Sequence, residues 1–140
     1  LLLVLDSNEY IFSFGLLRER DCKKLIEVIR NKYPKHIIRT PRLIIEEVGH
    51  HLTPEDFREF IEFISALTTI DENILVPFEL GAKYESKGLK PADAFIAAYA
   101  EWVGADILVT ENRHFLTLHI DLPFRILPAK KCLKLLKDSK

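Results

Sequence analysis

The chain has 140 residues, 48% of them hydrophobic and 29% charged, with a formal net charge of −1. That length and composition fit a single globular domain over residues 1–140 with a sizeable core, and exclude a disordered or low-complexity chain. The near-neutral balance supplies no global basic field, so a nucleic-acid substrate has to declare itself through a site.

Leu1-Leu2-Leu3-Val4-Leu5 is a continuous apolar run, the pattern of a strand covered on both faces. It lacks a basic flank and stops at Asp6, too short for a signal peptide or a membrane span, and no later stretch reaches spanning length. Helices are expected over residues 7–14 and 21–32, the second with Leu25, Ile26, Val28 and Ile29 as its apolar members, until Tyr33-Pro34 breaks it. Residues 36–39 read as a second short strand. Thr40-Pro41 is a capping residue followed by proline at a first helical position, and predicts a helix to about residue 52.

Thr53-Pro54-Glu55-Asp56 repeats that signal with acidic residues in the first turn, opening a longer helix to about residue 67. An extended link or short strand is expected over 74–77, a helix over 78–87 ended by Gly88, and another over 91–103 ended by Gly104. Residues 107–110 read as a buried strand, 124–127 as a last strand and 129–136 as a terminal helix. Short apolar strands alternating with helices define an α/β class with a mostly parallel central sheet. Cys22 and Cys132 lie far apart without metal-ligand spacing, and read as reduced, part-buried thiols of a cytoplasmic protein.

In open parallel sheets, ligands bind beyond the carboxyl ends of the strands. Asp6-Ser7-Asn8 follows the first strand and Thr110-Glu111-Asn112 follows the strand at 107–109, so parallel strands deliver these groups to one sheet edge. On the helix 91–103, positions 93, 96, 97 and 100 share a face and read Asp93, Ile96, Ala97 and Ala100. Asp93 thus tops a small-residue, core-facing stripe; the plain alternative is a carboxylate complementing the helix dipole. Glu47 shares a face with Leu43 and borders the apolar stripe, whereas Glu46 is turned away by about 100°. Clustered carboxylates repel unless a cation sits among them. Oxygen donors of this kind match Mg²⁺ or Mn²⁺ better than zinc, and such ions serve phosphodiester cleavage.

At these residues the sequence resembles the PIN-domain family over most of its length. Leu3-Val4-Leu5-Asp6-Ser7-Asn8 is similar to the family's first strand with its opening Asp. Pro41-Arg42-Leu43-Ile44-Ile45-Glu46-Glu47-Val48 resembles the helix whose Glu precedes an aliphatic residue, which selects Glu47. Ala92-Asp93-Ala94-Phe95-Ile96-Ala97-Ala98-Tyr99-Ala100 resembles the Asp-centred helix, and Ala105-Asp106-Ile107-Leu108-Val109-Thr110-Glu111-Asn112, with Phe115 beyond it, the last motif.

The resemblance implies a three-layer α/β/α fold with a short, mostly parallel sheet, and an endoribonuclease activity using Mg²⁺ or Mn²⁺. It makes Asp6, Glu47 and Asp93 the metal-binding carboxylates. Asn112 falls where members carry Asp or Asn, and completes the catalytic set. Ser7, Asn8, Asp106, Thr110, Glu111 and Arg113 become candidates for supporting those ligands or contacting substrate. Many members of this size are VapC-type toxins, often homodimers held inactive by an antitoxin, so RNA, an antitoxin and a second copy are the implied partners. The alternative is a PIN-like RNA- or protein-binding module with weak or no catalysis, for which the amide of Asn112 is the main support. DNA as substrate also stays open. A phosphatase of the dehalogenase type needs Asp two residues after the first Asp, where this chain has Asn8.

Other features have plainer readings. Adjacent His50 and His51 point in different directions on a helix and read as surface histidines. His114, just beyond Asn112, lies nearer the expected cleft than these two, and Arg113 beside it is preferred to it as a phosphate contact. Lys130, Lys131, Lys134, Lys137 and Lys140, interleaved with Leu133, Leu135 and Leu136, read as the solvated face of a packed terminal helix rather than an RNA track. Phe57, Phe60, Phe63 and Ile64 read as core or dimer surface, and Trp102 as structural.

Overall fold

A computed structural model describes residues 1–138. The opening apolar run forms β1 (Leu2–Leu5), buried from Leu3 onward. Asp6 ends it and caps α1 (Ser7–Phe14), its side chain accepting from the Ser7 amide. There follow α2 (Arg20–Lys32), β2 (Ile37–Pro41), α3 (Arg42–Gly49), α4 (Pro54–Leu67), β3 (Thr68–Asp71) and a 3-10 turn (Asn73–Leu75). The chain continues through α5 (Phe78–Ser86), α6 (Pro91–Val103), β4 (Ile107–Val109), α7 (Arg113–Leu116), β5 (Arg125–Leu127) and α8 (Ala129–Asp138). Among the described residues, no helix is long and apolar enough to cross a membrane.

The five strands make one sheet in the order β3-β2-β1-β4-β5, and every pairing is parallel. Strand order runs outward from β1 in both directions, so the chain reverses at the β1/β4 boundary. Right-handed crossovers then place α1–α4 on one face and the α5–α6 pair on the other. The contacts agree: α1 touches α2, α3 and α4, α2 packs on α8, and α5 packs on α6. The reversal opens a crevice at the carboxyl ends of β1 and β4, which is where such folds bind ligands.

The α4 aromatics are core. Phe60 and Phe63 are buried, and Phe60 packs edge-on against Tyr10 with ring centroids 5.0 Å apart. Along α8, Cys132, Leu133 and Leu136 are buried while Lys130, Lys131, Lys134 and Lys137 stay exposed, as a packed amphipathic helix requires; Lys140 lies outside the described residues.

Two expectations fail for identifiable reasons. Thr40 and Pro41 do not start a helix but belong to β2, where Pro41 pairs with Asp71 of β3. Sheet pairing overrides the local capping signal, and α3 begins at Arg42 with no side-chain cap from Pro41. Asn73 supplies that function instead, its Oδ1 accepting from the Leu43 amide at 3.0 Å. The second failure is β3 itself. The strand expected near 74–77 lies at Thr68–Asp71, and the expected stretch holds the 3-10 turn with Ile74 exposed. Thr-Thr-Ile-Asp has strand propensity, but it adjoins α4 with no breaker between.

Candidate functional site

Asp6 stands where β1 meets the crevice, 7% exposed. Its Oδ1 accepts from the Ser7 amide at 2.8 Å and its Oδ2 from the Thr110 hydroxyl at 2.8 Å. Thr110 follows β4 and is fully buried, and its hydroxyl also accepts from the Asn112 amide at 3.0 Å. Backbone pairing fixes both residues on the same edge, because Asp6 N donates to Val109 O and Thr110 N to Leu127 O. The sheet therefore sets Asp6 and Thr110 side by side before any ligand arrives.

Asp93 enters from the first turn of α6, half-buried, with the Asn112 amide nitrogen 3.5 Å from its Oδ1. Glu47 enters from α3, also half-buried, while Glu46 is exposed. The Ser7 side chain reaches Glu47, and Glu47 feels the charges of Asp6 and Asp93. Burial raises the Asp6 pKa; the Thr110 and Ser7 hydrogen bonds oppose that shift and the Asp93 charge adds to it. Burial likewise raises Glu47, helped by Asp6 and Asp93. Carboxylates held close enough to disfavour each other's ionisation are the electrostatic condition for a cation.

The three predicted carboxylates thus meet at one crevice, although they do not form a tight shell. Among the described residues, the group of His, Cys, Asp or Glu side chains whose ligand atoms all lie within 4.8 Å of one another is instead Glu9, Cys22 and Glu111.

The remaining candidates divide. Ser7 contacts the group directly, and half-buried Asn8 sits one residue further into α1. Asn112 caps α7, its Oδ1 accepting from the His114 amide at 2.9 Å, which fixes its amide nitrogen toward Asp93. Arg113 is exposed at the start of α7, close to the crevice along the chain. Glu111 points away: its Oε2 accepts from the Ala129 amide at 2.9 Å and caps α8. Asp106 is not at the site. Its Oδ2 accepts from the Leu2 amide at 2.7 Å, at the opposite end of β1, four residues or roughly 13 Å down the strand from Thr110. Proximity in the motif hid that, because four residues of strand separate the two ends of a sheet.

Sequence reading missed Glu9, which is fully buried one turn of α1 from Asp6. Cys22 Sγ donates to its Oε1 at 3.7 Å, and its Oε2 has no hydrogen-bond partner among the described residues. Burial first, then Glu111, pushes its pKa well above the carboxylate range. The available signal was a Glu inside the buried Tyr10, Ser13 and Phe14 face of α1.

The raised Glu9 pKa has a consequence for stability. An acid whose folded pKa is raised contributes stability that is complete below its unfolded pKa and is lost as pH rises through the folded one. Glu9→Gln keeps the shape of the neutral acid and cannot ionise. In EDTA, the variant is expected to melt a few degrees above wild type at neutral pH, with the gap closing as pH falls through the ordinary carboxylate range. An equal gap at all pH values, or none, would show that Glu9 is not held neutral.

The PIN-domain family profile matches residues 3–119. Comparison with curated proteins gives no significant sequence match. Among solved structures, the chain is similar to a chain of VapBC2 from Rickettsia felis, crystallised bound to a DNA fragment from their promoter. The TM-score is 0.62 at 18% identity, covering 90% of this chain and 97% of that one, a likeness of fold. The chain belongs to the PIN-domain family.

Proposed function

We propose that this chain is a metal-dependent endoribonuclease, a cytoplasmic single-domain protein that acts as the toxin half of a toxin–antitoxin pair. The observation that carries the reading is the convergence of Asp6, Glu47 and Asp93, from three separate elements, on the crevice where the sheet topology reverses. Family membership supports nuclease chemistry, and the fold shared with a VapBC2 chain supports an antitoxin partner. A homodimer is the proposed assembly.

The donor set is all oxygen, anionic and partly desolvated, which fits Mg²⁺ or Mn²⁺, and Asp6, Glu47 and Asp93 would hold the ion. When bound, such an ion neutralises charge on the phosphodiester and makes water a better nucleophile. The chain's own residues prepare for this. The Thr110 hydroxyl and Ser7 amide fix the Asp6 carboxylate in one rotamer, and Ser7 orients Glu47. Asn112, neutral and locked by the His114 amide, aims a donor at Asp93 without adding a fourth negative charge. Arg113 stands on the exposed side, where a phosphate backbone would approach.

Thr110→Val removes, without changing shape, the hydroxyl that donates to Asp6 and accepts from the Asn112 amide. Partners of ligating groups are worth about 10–100-fold in metal affinity. Mn²⁺ affinity, measured by calorimetry, is expected to fall by about 10-fold in Thr110→Val. Unchanged affinity would mean that Asp6 is not a ligand.

The reading is tested by incubating the protein, freed of bound inhibitor, with a mixed pool of single-stranded and structured RNA. Cutting in Mn²⁺ or Mg²⁺ that EDTA abolishes is expected, with DNA of matched sequence cut less. The absence of cutting under any metal would favour the alternative, a non-catalytic RNA- or protein-binding module, in which Asn112 marks a lost carboxylate.

A further inference from the structure

We infer that Glu9, Cys22 and Glu111 form a second metal site, distinct from the Asp6, Glu47 and Asp93 group, that takes one divalent ion of the zinc class. Three separate segments converge there: α1 gives Glu9, α2 gives Cys22, and the link after β4 gives Glu111. One ligand atom from each lies within 4.8 Å of the others. Glu9 and Cys22 are both fully buried, and Glu9 Oε2 is a buried acceptor oxygen with no hydrogen-bond partner among the described residues. Glu111 is oriented for the task, because the Ala129 amide holds its Oε2 at 2.9 Å and leaves Oε1 for a ligand.

The spacing is close to that of a coordination shell. With Zn–O near 2.0–2.2 Å and Zn–S near 2.3 Å, tetrahedral ligands sit roughly 3.3–3.7 Å apart. Cys22 Sγ and Glu9 Oε1 already stand 3.7 Å apart. The thiolate selects the metal class: Mg²⁺ avoids sulfur, whereas zinc and cobalt accept mixed oxygen and sulfur donors. With three protein ligands, a water would complete a four-coordinate shell.

Without a cation the cluster is electrostatically unfavourable. Burial, then Glu111, raises Glu9; burial, then Glu9, raises the Cys22 thiol. A dication removes both penalties by displacing one proton from the Glu9 carboxyl and one from the Cys22 thiol, leaving three anionic ligands around a double positive charge. The ion ties α1 and α2 to the link that caps α8, behind Asp6, so its role is structural. Cys132 is buried on α8 and its thiol, raised by burial and then by the Glu9 charge to about 12, lies outside the ligand group.

Cobalt titration of the metal-free full chain tests this, because a thiolate bound to Co²⁺ gives a near-ultraviolet charge-transfer band that an all-oxygen site cannot produce. The expected result is a band saturating at one equivalent in wild type, in Asp93→Asn and in Cys132→Ser, and absent in Cys22→Ser. Glu111→Gln, at a half-buried position that leaves the core intact, is expected to weaken cobalt binding by about 10-fold or more. No band in wild type, a band that survives Cys22→Ser, or full affinity in folded Glu111→Gln would overturn the assignment. None of these outcomes depends on the nuclease being active.

Discussion

Asp93→Asn is expected to abolish Mn²⁺-dependent RNA cleavage while leaving the melting curve within a degree or two of wild type. The substitution keeps the shape of the side chain and removes only its charge, at a half-buried position in the first turn of α6. Its cost to the fold is the small contribution of one acid to the helix dipole, a few tenths of a kcal/mol. Its cost to activity is larger. A bound metal supplies several kcal/mol of transition-state stabilisation. With 1.36 kcal/mol corresponding to tenfold in rate, losing an anionic ligand should cost on the order of 100-fold or more. Single-turnover cleavage at saturating Mn²⁺ gives the number, and full activity in Asp93→Asn would remove Asp93 from the ligand set.

The second large effect concerns the support of that helix. Asp71, at the end of β3, is buried and accepts two hydrogen bonds from Arg39 of β2, at 2.7 and 3.0 Å. It also accepts one from the Tyr99 hydroxyl of α6, at 2.5 Å. Arg39 in turn lies over the Trp102 ring, 5.6 Å from its centroid. Two strands at the sheet edge are thereby tied to the helix that carries Asp93. Burial works against the Asp71 charge, but the Arg39 and Tyr99 hydrogen bonds outweigh it and hold its pKa below the ordinary value.

Breaking one partner out of a buried pair costs about 3–5 kcal/mol. Arg39 is 30% exposed, so the lower end applies, about 3 kcal/mol for Asp71→Ala and on the order of 10 °C in Tm. The sign on pH follows from the lowered pKa: this stability is present above the unfolded carboxylate pKa and lost as pH falls through the folded one. Asp71→Ala should therefore lose most at neutral pH and converge on wild type in acid. A loss below 1 kcal/mol at neutral pH, by thermal or urea unfolding, would show that the network is screened by solvent rather than structural.

Most of the sheet was legible because burial and periodicity agree along β1 and β4. The apolar run up to Asp6 and the run before Thr110 each have one physical solution, a strand covered on both faces. Helix α6 was equally legible: proline opens it, small residues line one face, and Gly104 closes it with φ 73°, a left-handed position that favours glycine. Asp93 could be read from the top of that stripe.

Tertiary pairing hid the rest. Pro41 reads as a helix start until β3 is known to pair beside it, and β3 has no breaker separating it from α4. Glu9 was missed because nothing local to α1 shows that Cys22 and Glu111 lie beside it. The misplacement of Asp106 came from treating a motif as a point, when its two ends lie on opposite edges of the sheet.

The most direct test of the acidic crevice is a comparison of wild type with Asp6→Ala in Mn²⁺, on one RNA substrate, with circular dichroism confirming that both are folded. Asp6 is the ligand candidate that β1, Thr110 and Ser7 hold most rigidly. Cleavage by wild type and its loss in folded Asp6→Ala is the result expected of a metal nuclease built on Asp6, Glu47 and Asp93. Equal cleavage by the two proteins would contradict it and place the chemistry elsewhere on the molecule.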